Sequence, residues 1–173
     1  MRFMVMHKVD ADMEAGVRPG PELIANMGAF IEGHAKAGVF LLGVGLKPSA
    51  TRTRLTLSGG RRTVQDGPYA GSNELIAGCA LVQVKSKDDA IAWASRYAEV
   101  VGDAEIEIGP VNEPWDLGLA AKPANPPLRY LLVHKGDRNS EAGVPLGRAQ
   151  MAGMATLIEE MTAAGVLLAT AGL

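Results

Sequence analysis

An α+β fold, ordered strand, helix, strand, hairpin, strand, helix, strand, is predicted for the first two-thirds of the chain by three observations. Short apolar runs alternate with two segments of helical spacing. A Ser58-Gly59-Gly60 turn follows a stretch in which Thr53, Leu55 and Leu57 alternate with Arg52, Arg54 and Thr56, and Arg61, Arg62 and Thr63 lead the return strand. Residues 2–46 recur as residues 129–173 without a gap, at a constant offset of 127 positions and with 19 of 45 positions identical. RFMVMHKVDADMEAGVRPG from Arg2 and RYLLVHKGDRNSEAGVPLG from Arg129 align His7 with His134, Lys8 with Lys135, Asp10 with Asp137, and Glu14 to Val17 with Glu141 to Val144. The expected architecture is a ferredoxin-like βαββαβ unit with a hairpin insertion over residues 1–113, a Pro-rich linker at 114–128, and a partial second copy (βαβ) at 129–173.

Each element has its own signal. Met1 to Lys8 is short and rich in Met, Val and Phe, which suits a buried strand. Asp10 to Pro21 reads as a loop. Glu22 to Ala37 sets Leu23, Met27, Phe30, Ile31 and His34 at helical spacing, bracketed by Pro21 in the first turn and Gly38 at the cap. Val39 to Leu46 returns to an extended, apolar pattern. From Thr51 to Val64, Thr53, Leu55 and Leu57 alternate with Arg52, Arg54 and Thr56 ahead of the glycine turn, which predicts a hairpin. Leu75 to Val84 is nearly all apolar and reads as a central strand. Ser86 then opens SKDDAIAWASRYAEVV with a capping hydroxyl, and Ala90, Trp93, Ala94 and Tyr97 share one helix face. Ala104 to Ile108 alternates Glu105 and Glu107 with Ile106 and Ile108, a strand with one wet face. AKPANPP from Ala121 lacks periodicity and forms the linker.

Two helices on one face of such a sheet leave Met4, Met6, Leu41 and Leu81 on the other, and those side chains need cover. A homodimer is therefore expected. The second copy carries only a strand, a helix and a strand. It is expected to pair with sheet from its own or another subunit, or to belong to a longer tandem protein.

Composition excludes several classes. Hydrophobic residues at 47% and charged residues at 21% are those of a globular chain, and a net charge of -2 offers no pull toward nucleic acid or an anionic membrane. No apolar run reaches the 18 or so residues that cross a bilayer. The single cysteine, Cys79, allows no internal disulfide, and a cytoplasmic location is the expectation. Three scattered histidines without His-x-x-x-His or Cys-x-x-Cys spacing leave no metal site legible, and no cofactor is expected. Gly43-Val44-Gly45 lacks the third glycine and the helix of a dinucleotide loop.

Several side chains are candidates for chemistry. His7 ends the first strand and recurs as His134. An imidazole there is an acid–base group if it faces a cavity, or a strand-end residue bonded to a loop. Asp66-Gly67-Pro68-Tyr69 either aims a carboxylate and a phenol into a cleft or simply makes a tight turn. Arg52, Arg54, Arg61 and Arg62 form a basic patch that could hold an anionic ligand or guard an edge strand. The candidate pair for catalysis is His7 with Asp66, and the candidates for ligand binding are Tyr69, Arg54 and Arg62. His34 suits a core position, and Cys79 a buried thiol.

EAGV from Glu14, KAGVFLLGVGLKPS from Lys36, SGGRRTVQDGPY from Ser58, ELIAGCALVQVKSKDDAIAWA from Glu74 and EIEIGPVNE from Glu105 occur in order over residues 1–113. Together they resemble the YCII-related family, in its DGPF-domain branch. The resemblance implies a dimeric α+β barrel, in which two ferredoxin-like units set their sheets face to face. It also implies a small bacterial protein of unassigned activity, a small-molecule-binding or regulatory module, often encoded beside extracytoplasmic-function sigma factors, which makes a sigma factor a conceivable partner. Enzymes of the wider superfamily resemble dehydrochlorinases and muconolactone-type isomerases. An alternative is therefore a cofactor-independent isomerase, lyase or dehalogenase using His7 with Asp66, and a further one is a structural dimerisation unit. The chain departs from the family signature DGPF-A-E-[TS]-K-E after Tyr69, where it reads Ala70-Gly71-Ser72-Asn73-Glu74. It also carries Gly20-Pro21-Glu22 where a dehydrochlorinase-type histidine would stand.

Overall fold

The computed structural model describes residues 1–69 and 74–173. Its elements are α1 (Ala11–Glu14), α2 (Pro21–Lys36), β1 (Thr53–Ser58), β2 (Arg61–Asp66), β3 (Ile76–Val84), α3 (Lys87–Val101), β4 (Ala104–Pro110), β5 (Leu128–Lys135), α4 (Arg138–Glu141), α5 (Arg148–Ala163) and β6 (Leu167–Gly172). The predicted hairpin, central strand, capped helix and closing strand are all present. The backbone N–H of Asp89 donates to Ser86 Oγ at 3.1 Å, satisfying one of the orphan amides at the start of α3. Ser86→Ala is expected to lower stability by about 1 kcal/mol in urea denaturation.

All six strands join one antiparallel sheet in the order β2-β1-β4-β5-β3-β6. Its last four strands have the ferredoxin-like order, but two of them, the interior β5 and the edge strand β6, come from the second copy. β5 lies between β4 and β3, and β6 borders β3. The expectation that residues 129–173 find sheet in their own or another subunit resolves to their own. The hairpin β1–β2 extends the sheet beyond β4.

The strands predicted at Met1 to Lys8 and Val39 to Leu46 do not form. Among the described residues only Leu46 makes a bridge, to Val111. The physical reason is that a strand has no internal hydrogen bonds and exists only by pairing, and the gap between β4 and β3 admits one strand. β5 holds it. The apolar residues of the first copy consequently face outward: Val5 is 93% exposed and Phe30 54%, while their repeat partners Leu132 and Leu157 are 7% and 3% exposed.

Helices α3 and α5 cover one face of the sheet and close the core. Leu55, Val82, Ile106, Ile108, Leu132, Leu157 and Met161 pack there against Ala90, Ala94 and Ala98 of α3. Burial of this apolar surface is the main favourable contribution to folding. The alternation on β4 then sends Glu105 and Glu107 to the opposite, open face.

Candidate functional site

The open face carries a cluster of charge where the β4 pattern predicted a wet surface. Glu107 is buried there between two cations, with Arg52 Nη1 donating to Oε1 at 2.7 Å and Lys135 Nζ lying 3.1 Å from Oε2. Three strands or their flanks bring these groups together. Arg52 precedes β1 and is oriented by donating from Nε to the Lys47 carbonyl, Glu107 alternates outward on β4, and Lys135 ends β5. Arg54, on the same face of β1, lies 3.6 Å from Glu105 and sets its guanidinium 4.0 Å over the Tyr69 ring. A cation held over an aromatic face is attracted by the ring quadrupole.

Electrostatics define the protonation states. Burial raises the Glu107 pKa, yet hydrogen bonds and charge from Arg52 and Lys135 outweigh it and hold the carboxyl below its ordinary value, so it is ionised. Burial, then the neighbouring Glu107 carboxylate, pushes the Tyr69 phenol up to about 12, so it stays protonated at neutral pH. Three cations and two carboxylates leave the cluster at +1.

Gly67 is what lets Tyr69 reach the cluster. A Cβ on Gly67 would stand 2.1 Å from the Ser49 carbonyl oxygen, so the Asp66-Gly67-Pro68 turn packs against the 3-10 turn at Ser49–Thr51 as no other residue could. The Gly67–Pro68 peptide is cis.

The other candidates are dispersed. His7 is exposed and outside any element. Asp66 lies at the rim on the helix side of the sheet, accepting from Thr53 Oγ1 at 2.8 Å and paired with Lys87; those bonds, Lys87 foremost, lower its pKa. The structure does not bring His7 and Asp66 together. Arg62 also points to the helix side, donating to Ser95 Oγ at 2.9 Å beside a shallow groove lined by Leu55, Leu57 and Glu99. Of the three residues expected to bind a ligand, Tyr69 and Arg54 meet and Arg62 stands apart. The departure from the family signature at Ala70 to Asn73 lies outside the described residues.

Sequence reasoning missed Glu105, Glu107 and Lys135. The signal was present, since Glu105 and Glu107 alternate on one strand as Arg52 and Arg54 do on the next. His134, the repeat partner of His7, is half-buried on the helix side. Its Nδ1 shares a 2.8 Å hydrogen bond with the Tyr97 hydroxyl, and burial lowers its pKa. That is a neutral structural pair. Cys79 is partly buried, and burial pushes its thiol pKa up, which disfavours the nucleophilic thiolate. Among the described residues no group of three His, Cys, Asp or Glu side chains could hold a metal, and no helix is long and apolar enough to cross a membrane.

The family model for the YCII-related domain matches residues 1–112. No curated protein and no solved structure matches significantly.

Proposed function

From the premise that this chain belongs to the YCII-related family, we propose that it is a small-molecule-binding module whose site is the charged cluster on the open face of the sheet. The observation that supports this reading is Glu107, a carboxylate kept ionised while buried between Arg52 and Lys135, with the Arg54–Tyr69 stack beside it. Ionised groups are costly to desolvate, and clusters of this kind concentrate where polar ligands are recognised. The surplus of one positive charge favours a small anionic ligand such as a carboxylate.

A panel of small mono- and dicarboxylates, followed by two-dimensional NMR and thermal shift, tests the reading. Binding should move the amide resonances of Arg52, Arg54, Tyr69 and Glu107, and Arg54→Leu should weaken it at least tenfold. Shifts confined to other surfaces, or an unchanged affinity in that variant, would remove the cluster from the function. We further propose self-association, supported by the exposed apolar side chains of residues 1–46, with light scattering as the measurement and a strictly monomeric mass as the contrary result.

A further inference from the structure

The two copies of the repeat share one local structure, yet only one of them lies in the sheet. We propose that residues 2–46 and 129–173 are alternative occupants of the same position, so that the chain exchanges one copy for the other between β4 and β3 and along the outer edge of β3.

Three polar side chains on β5 grip the rest of the protein. Arg129 makes a two-point pair with Glu113, His134 bonds Tyr97, and Lys135 pairs with Glu107. At an offset of 127 their counterparts are Arg2, His7 and Lys8, identical in all three cases. The first copy thus holds the same set of strand-contact side chains, with Arg2 and His7 exposed and Lys8 paired at the surface with Glu74 at 3.1 Å. Its apolar positions match as well, with Val5 for Leu132 and Phe30 for Leu157, exposed in one copy and buried in the other.

The first copy is also already shaped for the position. Asp10 caps α1 as Asp137 caps α4, α2 and α5 both run 16 residues from an extended glycine, and Gly38 and Gly165 close them at φ 70° and 67°. Exchange needs strand pairing but no helix refolding. The tether permits it: placing Leu46 where Leu173 now lies, beside Ala77, leaves a gap to Thr53 of roughly 22 Å, from four strand spacings and about three residues along the sheet. The seven intervening steps reach about 24 Å when extended. The Leu46–Val111 bridge, the backbone bonds Lys47–Pro110 and Gly45–Asn112, the Glu14–Ser49 and Arg52–Lys47 bonds and the turn at Ser49–Thr51 must open.

Differences outside the strand contacts decide which copy predominates. Gln150 donates to the Val101 carbonyl at 2.6 Å, Glu160 pairs with Arg96, and Thr170 Oγ1 donates to the Cys79 carbonyl at 3.0 Å. The first copy has Leu23, Gly33 and Gly43 at those places and would bring His34 into the apolar site of Met161. The second copy is the major occupant. Because Lys8 replaces Lys135, the Glu107 cluster keeps its cation in either state, and the inference does not depend on what that cluster binds.

The native Cys79 makes a direct test in the full chain. It stands opposite Val133 in the β3–β5 ladder, and opposed residues in an antiparallel pair lie within disulfide range. Met6 is the counterpart of Val133 and is exposed, so Met6→Cys should leave the fold intact. Under catalysed oxidation Val133→Cys should close fully onto Cys79, setting the scale. Met6→Cys should close onto Cys79 within the same chain in a minority of molecules, identified by peptide mapping. Adding Gln150→Leu and Thr170→Gly should raise that fraction several-fold. The proposal is overturned if Met6→Cys stays reduced where Val133→Cys closes, or if it links to Cys79 only between chains. Hydrogen exchange on the unsubstituted protein gives a second reading without variants. Amides of β5, and those of β3 and β4 that bond to it, should exchange through an opening that leaves the β1–β4 ladder protected, and equal protection of the β1–β4 and β4–β5 ladders would contradict the exchange.

Discussion

Glu107→Leu is expected to lower stability by about 3–5 kcal/mol, because it leaves Arg52 and Lys135 facing each other in a buried site without their shared counter-charge. Equilibrium urea unfolding at neutral pH measures it. A loss below about 1 kcal/mol would mean that the two cations swing out to water on their flexible stems. The same carboxylate predicts a pH dependence. Its pKa is near 4.5 when unfolded and lower in the fold, so the unfolded chain takes up the proton first as pH falls. The stability that Glu107 contributes is fully present above the unfolded value and is lost as pH drops through the folded one. Glu107→Leu should therefore flatten the stability profile below about pH 4.5 relative to the parent. Two parallel profiles would show that other carboxylates govern acid unfolding.

Ile106→Ala is expected to cost about 2–5 kcal/mol. Ile106 is 1% exposed and sits opposite Leu55 on one side and His134 on the other, in the strand that both halves of the sheet share. Removing three carbons leaves a cavity that neighbouring strands, bound by their ladders, can only partly close. The contrasting substitution is Val64→Ala on the exposed strand β2, which should change stability by less than about 0.5 kcal/mol. Both are read from the same denaturation experiment. Equal effects would place the packed core elsewhere.

The candidate site was legible in part. Arg54 and Tyr69 could be named because a hairpin arginine and an Asp-Gly-Pro-Tyr turn are local signals. Their meeting depends on Gly67 packing against Ser49, a contact across 18 positions that no local pattern contains. Glu107 read as solvent-facing because alternation identifies the face that avoids the core, and it cannot report that the other face is filled by cations from two further segments. Lys135 lay furthest out of reach, since it enters the cluster only because the second copy enters the sheet.

The repeat marks the division most sharply. Sequence alone determined α2 and α5 with their closing glycines in both copies, whereas the single turn α1, capped by Asp10 as α4 is by Asp137, falls in a stretch that reads as a loop. Helices satisfy their hydrogen bonds within the segment, so equal sequences make equal helices wherever they stand. Only the tertiary structure decided which copy has strands. Met1 to Lys8 and Leu128 to Lys135 have the same extended pattern, but a strand requires a neighbour, and one position beside β3 and β4 cannot serve two claimants at once. The copy in the sheet makes contacts distant in sequence, Gln150 with Val101 and Thr170 with Cys79, at places where the other copy has Leu23 and Gly43.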